Sequence, residues 1–299
     1  MPRAAGAEHA AFARRPSTQM LSASCTPAPP LDTLIAKLWV FEGRNFEHSK
    51  ERVLPDGCME LVINLREDCL RVYDRDACGS FQTFSGALIC GAHSEFFVID
   101  TACQANVLGV HFKPGGGQPL IGMPADELHG RHVALEDLWG SAARAMRDRL
   151  LDTPSAADKF RILESTLLAL AGTDWSRHPS IDFGLQALRA AEGASVSAVS
   201  ERVGLSRRRF AQIFREHVGL TPKRYFRIRR FNEVLSAMRD RNGVDLAELA
   251  LTCGYYDQSH FNHDFKLFSG VTPCDYLLLK GDHLGHLPLP DPAETVSGM

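Results

Sequence analysis

From about residue 180 onward, apolar residues fall at three- and four-residue intervals, the period of a helix with one buried side. Phe210, Ile213 and Phe214 form one such stripe. Ile228, Phe231, Val234, Leu235 and Met238 form another along Pro222–Arg239, and Phe261, Phe265 and Phe268 a third. Between 31 and 115 the pattern is different. Short apolar runs bounded by Gly, Pro and Asp predict strands at Met59–Leu65, Leu70–Tyr73, Ala87–Cys90, Phe96–Ile99 and Val107–Phe112. Leu54-Pro55-Asp56-Gly57 is a turn signal, with Pro second and Gly fourth. Helical spacing resumes over Ala134–Leu151 and Ala156–Ala171. The expected fold class is α+β: a β-rich N-terminal domain, a helical linker and an all-α C-terminal domain with seven helices between about Ile181 and Leu279.

The C-terminal stripes belong to a repeat. Phe210, Phe214, Gly219, Thr221 and Pro222 recur 51 residues later as Phe261, Phe265, Gly270, Thr272 and Pro273. Each copy predicts a short helix (Val196–Val203, Asp245–Thr252), a glycine stop (Gly204, Gly254) and an N-cap (Ser206, Asp257) opening a second helix. Gly-x-Thr-Pro closes both copies, with Thr as cap and Pro in the first helical turn. Two helices joined by a tight turn make a helix-turn-helix, whose second helix can enter the major groove of DNA. The connector Pro222–Arg239 spans roughly 27 Å at about 1.5 Å per residue. Successive major-groove faces lie about 34 Å apart, so a rigid connector of this length suits two readers on one side of the duplex.

Charge agrees with that reading. The chain of 299 residues carries a net −3, yet residues 180–280 hold 15 basic against 11 acidic residues, leaving −7 for the remainder. Within 206–230, nine basic residues face the single acid Glu216. Such a basic cluster in an acidic protein suits a local polyanion site.

The run Gly254-Tyr255-Tyr256-Asp257-Gln258-Ser259-His260-Phe261, within Asp245–Tyr276, resembles the signature of the AraC/XylS transcription regulators. The resemblance covers about a third of the chain. It implies two helix-turn-helix motifs bridged by a long helix, behind a variable sensor or dimerisation domain that is often a small cupin-like barrel. It also implies double-stranded promoter DNA as partner, and leaves room for RNA polymerase, a small-molecule effector and a second copy of the chain. The expected organisation is a flexible tail (1–30), a β-rich sensor or dimerisation domain (31–118), a helical linker (119–178), the DNA-binding domain (179–281) and a second flexible tail (282–299).

Helix geometry nominates the readers. With Phe210 and Phe214 inward, Arg208, Gln212 and Arg215 point out. With Phe261 and Phe265 inward, Ser259, His263 and Lys266 point out, with Asn262 at the flank and Gln258 in the first turn. Arg pairs bidentately with guanine and Gln with adenine. Arg207, Arg209, Arg224, Arg227 and Lys266 are candidate phosphate contacts, which add affinity rather than specificity. His263 stands where regulators of this family often carry Arg, and a neutral imidazole reads a base edge less strongly than a guanidinium.

Other chemistry is sparse. No apolar run reaches the roughly 18–20 residues that span a bilayer. Leu21–Cys25 has the look of a lipoprotein cleavage site without the apolar stretch before it, so a cytoplasmic protein is expected. The eight cysteines include no C-x-x-C pair. Pro114-Gly115-Gly116-Gly117 lacks the Lys-Ser/Thr pair of a phosphate loop and is expected to be a turn. His48, His93 and His111 show no ligand spacing, and His260 and His263 lack a third ligand. No metal, cofactor or catalytic residue is therefore expected. Two other readings share the DNA-binding half: a DNA-repair or modification enzyme using it as a targeting arm, and an architectural binder without effector. The first calls for a Pro-Cys-His run or a four-cysteine cluster, neither of which the sequence contains.

Overall fold

A computed structural model describes residues 21–43, 46–75, 79–171, 177–190, 195–239, 245–281 and 283–289. The strands are β1 (Leu21–Cys25), β2 (Ile35–Glu42), β3 (Lys50–Val53), β4 (Glu60–Asn64), β5 (Leu70–Tyr73), β6 (Phe81–Phe84), β7 (Ala87–Cys90), β8 (Phe97–Asp100), β9 (Val107–Phe112), β10 (His132–Ala134) and β11 (His286–Leu289). The helices are α1 (Gln118–Ile121), α2 (Leu135–Trp139), α3 (Ser141–Leu151), α4 (Ala156–Leu170), α5 (Pro179–Ala190), α6 (Val196–Arg202), α7 (Arg207–Val218), α8 (Pro222–Arg239), α9 (Leu246–Thr252), α10 (Gln258–Ser269) and α11 (Pro273–Leu279).

The strands form two antiparallel sheets, ordered β1-β2-β9-β4-β7-β10 and β11-β3-β8-β5-β6. In the first sheet, side-chain alternation divides the faces. Leu38, Val110, Leu61 and Ile89 share one register row, and Val40, Leu108, Ile63 and Ala87 the next. All eight are buried, in one core with Met146 and Leu150 of α3 and Leu163 and Leu167 of α4. The opposite face looks into a cavity between the sheets. Its rows are Lys37, His111, Glu60, Cys90 and His132, then Trp39, Gly109, Val62, Leu88 and Ala134. Gly109 is required there: a Cβ on it would come within 2.2 Å of the Trp39 ring.

All five predicted strand runs are present, and seven helices fill 179–279 among the described residues. Three expectations are corrected. The helical run 134–151 is two helices, because Gly140 between them adopts φ +57° and ψ −135°. The expected N-terminal tail is ordered from residue 21, where β1 finds a pairing edge on β2. The expected C-terminal tail contains β11, which pairs with β3 because the edge of that strand is open to it. Residues 1–20, 282 and 290–299 of those tails lie outside the described residues. The 119–178 segment is also more than a spacer. It holds β10, and Arg147 of α3 donates to the Asn64 and Glu67 carbonyls at 3.1 and 2.8 Å.

The core continues without a break from the sheet helices into α5–α11. The turn foreseen at 54–57 forms the junction. Gly57 at φ +82° lies against the Tyr225 ring of α8, and the Asn232 side-chain amide donates to the Pro55 carbonyl at 3.0 Å.

Gly109→Ala should lower the unfolding free energy by about 1–3 kcal/mol, the usual cost of forcing extra volume into a packed site. Chemical denaturation of the full chain checks this. An unchanged midpoint would mean that Trp39 moves aside at no cost.

Candidate nucleic-acid interface and effector cavity

Helix α7 starts where it does because the Ser206 hydroxyl accepts from the Arg209 amide at 3.2 Å. Phe210 and Phe214 are fully buried, which turns Arg207, Arg208, Arg209, Gln212 and Arg215 outward, all of them exposed. Helix α10 starts at the Asp257 cap, which accepts from the His260 amide at 2.7 Å. Phe261, Phe265 and Phe268 are buried, and Gln258, Ser259, Asn262, His263 and Lys266 are exposed. Ten of the twelve nominated side chains therefore sit on the outer faces of the two second helices. Each unit is braced through α8: Phe214 packs on Tyr225 at 5.6 Å, and Phe231 on Phe265 and Phe268 at 5.2 Å each, centroid to centroid.

The other two nominated residues, Arg224 and Arg227, lie half-buried on α8. Arg227 is already engaged within the protein. Its guanidinium makes two hydrogen bonds, 2.5 and 3.2 Å, to the carboxylate of Asp264, which is fully buried on α10. This pair ties α8 to α10. Arg224 is engaged from another side, 3.7 Å from Glu95 in the β-rich half. Two exposed readers also have partners. Gln212 donates to Glu216 at 2.8 Å, and Arg215 meets Asp126 at 3.0 Å, which ties the end of α7 to the turn 125–128. Sequence reasoning missed Asp264 and Asp126. An acid at an inward helix position, beside Phe261 and Phe265, was the available signal for the first. Nothing local marks the second.

The cavity between the sheets measures about 360 Å³. Lys37, Trp39, Glu60, His111, Leu88 and Phe97 are among the residues lining it. Glu60 accepts from the Trp39 indole at 2.9 Å. His111 lies 3.4 Å from Asp56 and 3.7 Å from Glu60. Burial alone would lower its pKa, but hydrogen bonds with Cys58 and Glu60 and the charge of Asp56 prevail and raise it to about 12. The cavity thus offers apolar walls with a few convergent charged groups, the usual make-up of a small-molecule site. His48 lies outside this group; its Nε2 is 2.8 Å from Glu51. Pro114–Gly117 forms a turn, as expected, and the Pro114 carbonyl accepts from Arg177 at 3.1 Å. The described residues include no helix long and apolar enough to cross a membrane.

Comparison with known proteins bears on both halves. Residues 199–278 match a helix-turn-helix domain family, and residues 23–134 match a domain of unknown function (DUF6597). The transcriptional activator RhaS of Salmonella dublin is 32% identical over 220 residues, a stretch covering 66% of this chain and 78% of that protein. The XylDLEGF operon transcriptional activator of Pseudomonas putida is 27% identical over 126 residues, covering 39% of each chain. Several curated relatives match over only about a third of their own length, 30% to 39%. Among solved structures, ToxT from Vibrio cholerae superposes with a TM-score of 0.44 at 14% identity, over 82% of this chain and 95% of that one.

Arg227→Ala should destabilise the protein by roughly 3 kcal/mol, because it strands the Asp264 carboxylate in the core without a counter-charge. Urea unfolding of Arg227→Ala, Asp264→Ala and the double variant checks this: the double should cost clearly less than the two singles together. Full additivity would mean the pair contributes nothing.

Proposed function

Because the chain belongs to the AraC/XylS family of transcription regulators, we propose that it binds promoter DNA in a sequence-specific manner through α7 and α10 and regulates transcription there. The observation that carries this is the pair of exposed reading faces, each fixed by a buried phenylalanine stripe and joined by one continuous helix, α8. In this reading Arg208 and Gln212 contact bases from α7, with Ser259, Asn262 and His263 their counterparts on α10. Arg207, Arg209 and Lys266 contact phosphates, where a side chain adds affinity without specificity. Gln258, in the first turn of α10, and Arg215, once released from Asp126, complete the surface.

The β-rich half serves as the sensor, taking a small-molecule effector in the cavity between its sheets. The parsing proposed is a sensor over 31–118, a helical linker over 119–178 and a reader over 179–281, with β1 and β11 added to the sensor sheets. An effector acts only by binding two states of the protein unequally. The contacts available to carry that difference are Tyr225 on Gly57, Asn232 on Pro55 and Arg215 on Asp126. RNA polymerase and a second copy of the chain complete the partners of a cytoplasmic, non-enzymatic regulator. The relatives support this over the enzyme reading, since those that match are transcription regulators.

Arg208→Ala should cost about 1–3 kcal/mol at the cognate site and flatten the preference at one base position. Arg207→Ala should weaken cognate and scrambled duplexes alike and shallow the salt dependence by about one unit. Titration of both duplexes at several salt concentrations separates the two. Equal weakening by Arg208→Ala would make it a phosphate anchor, and no effect at all would move specificity to α10.

A further inference from the structure

The sensor cavity has a chemical feature that DNA binding does not use. Cys90 ends β7 and lies in direct register with His132 of β10. The chain after β7 brings His93 back over both. The two imidazoles are 4.7 Å apart between centroids, and both pack on Phe97, at 4.5 and 4.6 Å. One donor atom from each of Cys90, His93 and His132 lies within 4.8 Å of the others.

The state of these donors is unusual. Nε2 of His93 and Nε2 of His132 are both buried with no hydrogen-bond partner among the described residues. Buried polar atoms are ordinarily paired, and two orphans on imidazoles clustered with one thiol call for an explanation. The Cys90 sulfur makes only a long contact, 3.5 Å, to the Gly91 carbonyl. A second cluster, Asp56, Cys58 and His111, is equally close-set but differs in its partners. There the imidazole is already matched by two carboxylates.

We propose that Cys90 Sγ, His93 Nε2 and His132 Nε2 are three ligands of a divalent transition-metal ion of the zinc class, whose fourth position opens on the cavity between the sheets. Thiolate with two imidazoles is a donor set that suits zinc, and three protein ligands with one open position is the arrangement of sites that accept an exogenous group. Tetrahedral bonds of about 2.0–2.3 Å place donors about 3.3–3.8 Å apart, so side-chain adjustment of about an ångström closes the site. On uptake the Cys90 thiol releases its proton to solvent and its sulfur bonds the metal. The imidazoles bind as they are, and nothing is oxidised or reduced. Cys90 and His132 also line the cavity, so a water or an anionic group of a small molecule would complete the coordination from there.

The test is a titration of the full-length, metal-free protein with Co²⁺, followed by displacement with Zn²⁺. One Co²⁺ per chain should bind, with tetrahedral d–d bands and a thiolate-to-cobalt charge-transfer band, both erased by Zn²⁺. Cys90→Ser should abolish the charge-transfer band. His132→Gln should weaken uptake by more than about tenfold, the upper range for losing even an outer-shell partner being larger still. Cys58→Ser and His260→Ala should change neither. The wild-type spectrum needs no variant to fold: absence of a thiolate band there overturns the proposal. Loss of the band in Cys58→Ser with retention in Cys90→Ser overturns it equally. A protein that takes up Co²⁺ as described but ignores all DNA would refute the regulator reading and leave this site standing.

Discussion

Burial of one face of α8 is the constraint on which the arrangement depends. Tyr225, Ile228, Phe231, Val234, Leu235 and Met238 are all withdrawn from water. Each such side chain contributes about 1.5–3 kcal/mol relative to exposure. Three different parts of the protein supply the cover: Phe214 of the first unit, Phe265 and Phe268 of the second, and the Gly57 turn of the β-rich half. None of these parts can leave without exposing α8. The spacing and rotation of the two reading helices are therefore set by the same contacts that hold the halves together.

Electrostatics then divides the basic residues by depth. Those on α7 and α10 stay on the surface, because the phenylalanine stripes pull the opposite face inward. On α8, Arg227 and Arg224 are half-buried and already face carboxylates, Asp264 and Glu95, whereas Lys223 is exposed. The nine basic residues seen in the sequence thus differ in depth and in what they already face, a distinction their spacing does not carry.

This division marks where the sequence is legible. Phe210, Phe214, Phe261 and Phe265 announce the helices because local period and tertiary burial coincide, and Ser206 and Asp257 mark their starts because capping is a local hydrogen bond. The strands from Met59 to Phe112 are legible for the same reason. Their sheet order is not, since nothing local says that β9 lies between β2 and β4. The row Lys37, His111, Glu60, Cys90 and His132 draws one residue from each of five strands, and no spacing rule connects them. β11 was invisible for a related reason: Pro288 and the short run around it carry no strand signal, and only the open edge of β3 makes that segment a strand. The pairing of Arg227 with Asp264 was not legible, because an outward-looking basic residue and the partner of a buried acid have the same local pattern.

The return of the chain through β11 changes what kind of object the reader is. After α11 the backbone runs back to the β-rich half and pairs over four positions with β3, and His286 adds a 2.9 Å contact to the buried Glu51. The α5–α11 unit is thus spliced between two parts of the β-rich half, anchored at its beginning by the packing of α5 and at its end by a sheet edge. A bead on a string can swivel about one joint. A segment fastened at both ends has lost that freedom, and breaking the chain between α4 and α5 would not set it loose. Motion in the sheets then acts on a frame held at both ends, and peeling away its last strand would free one of them.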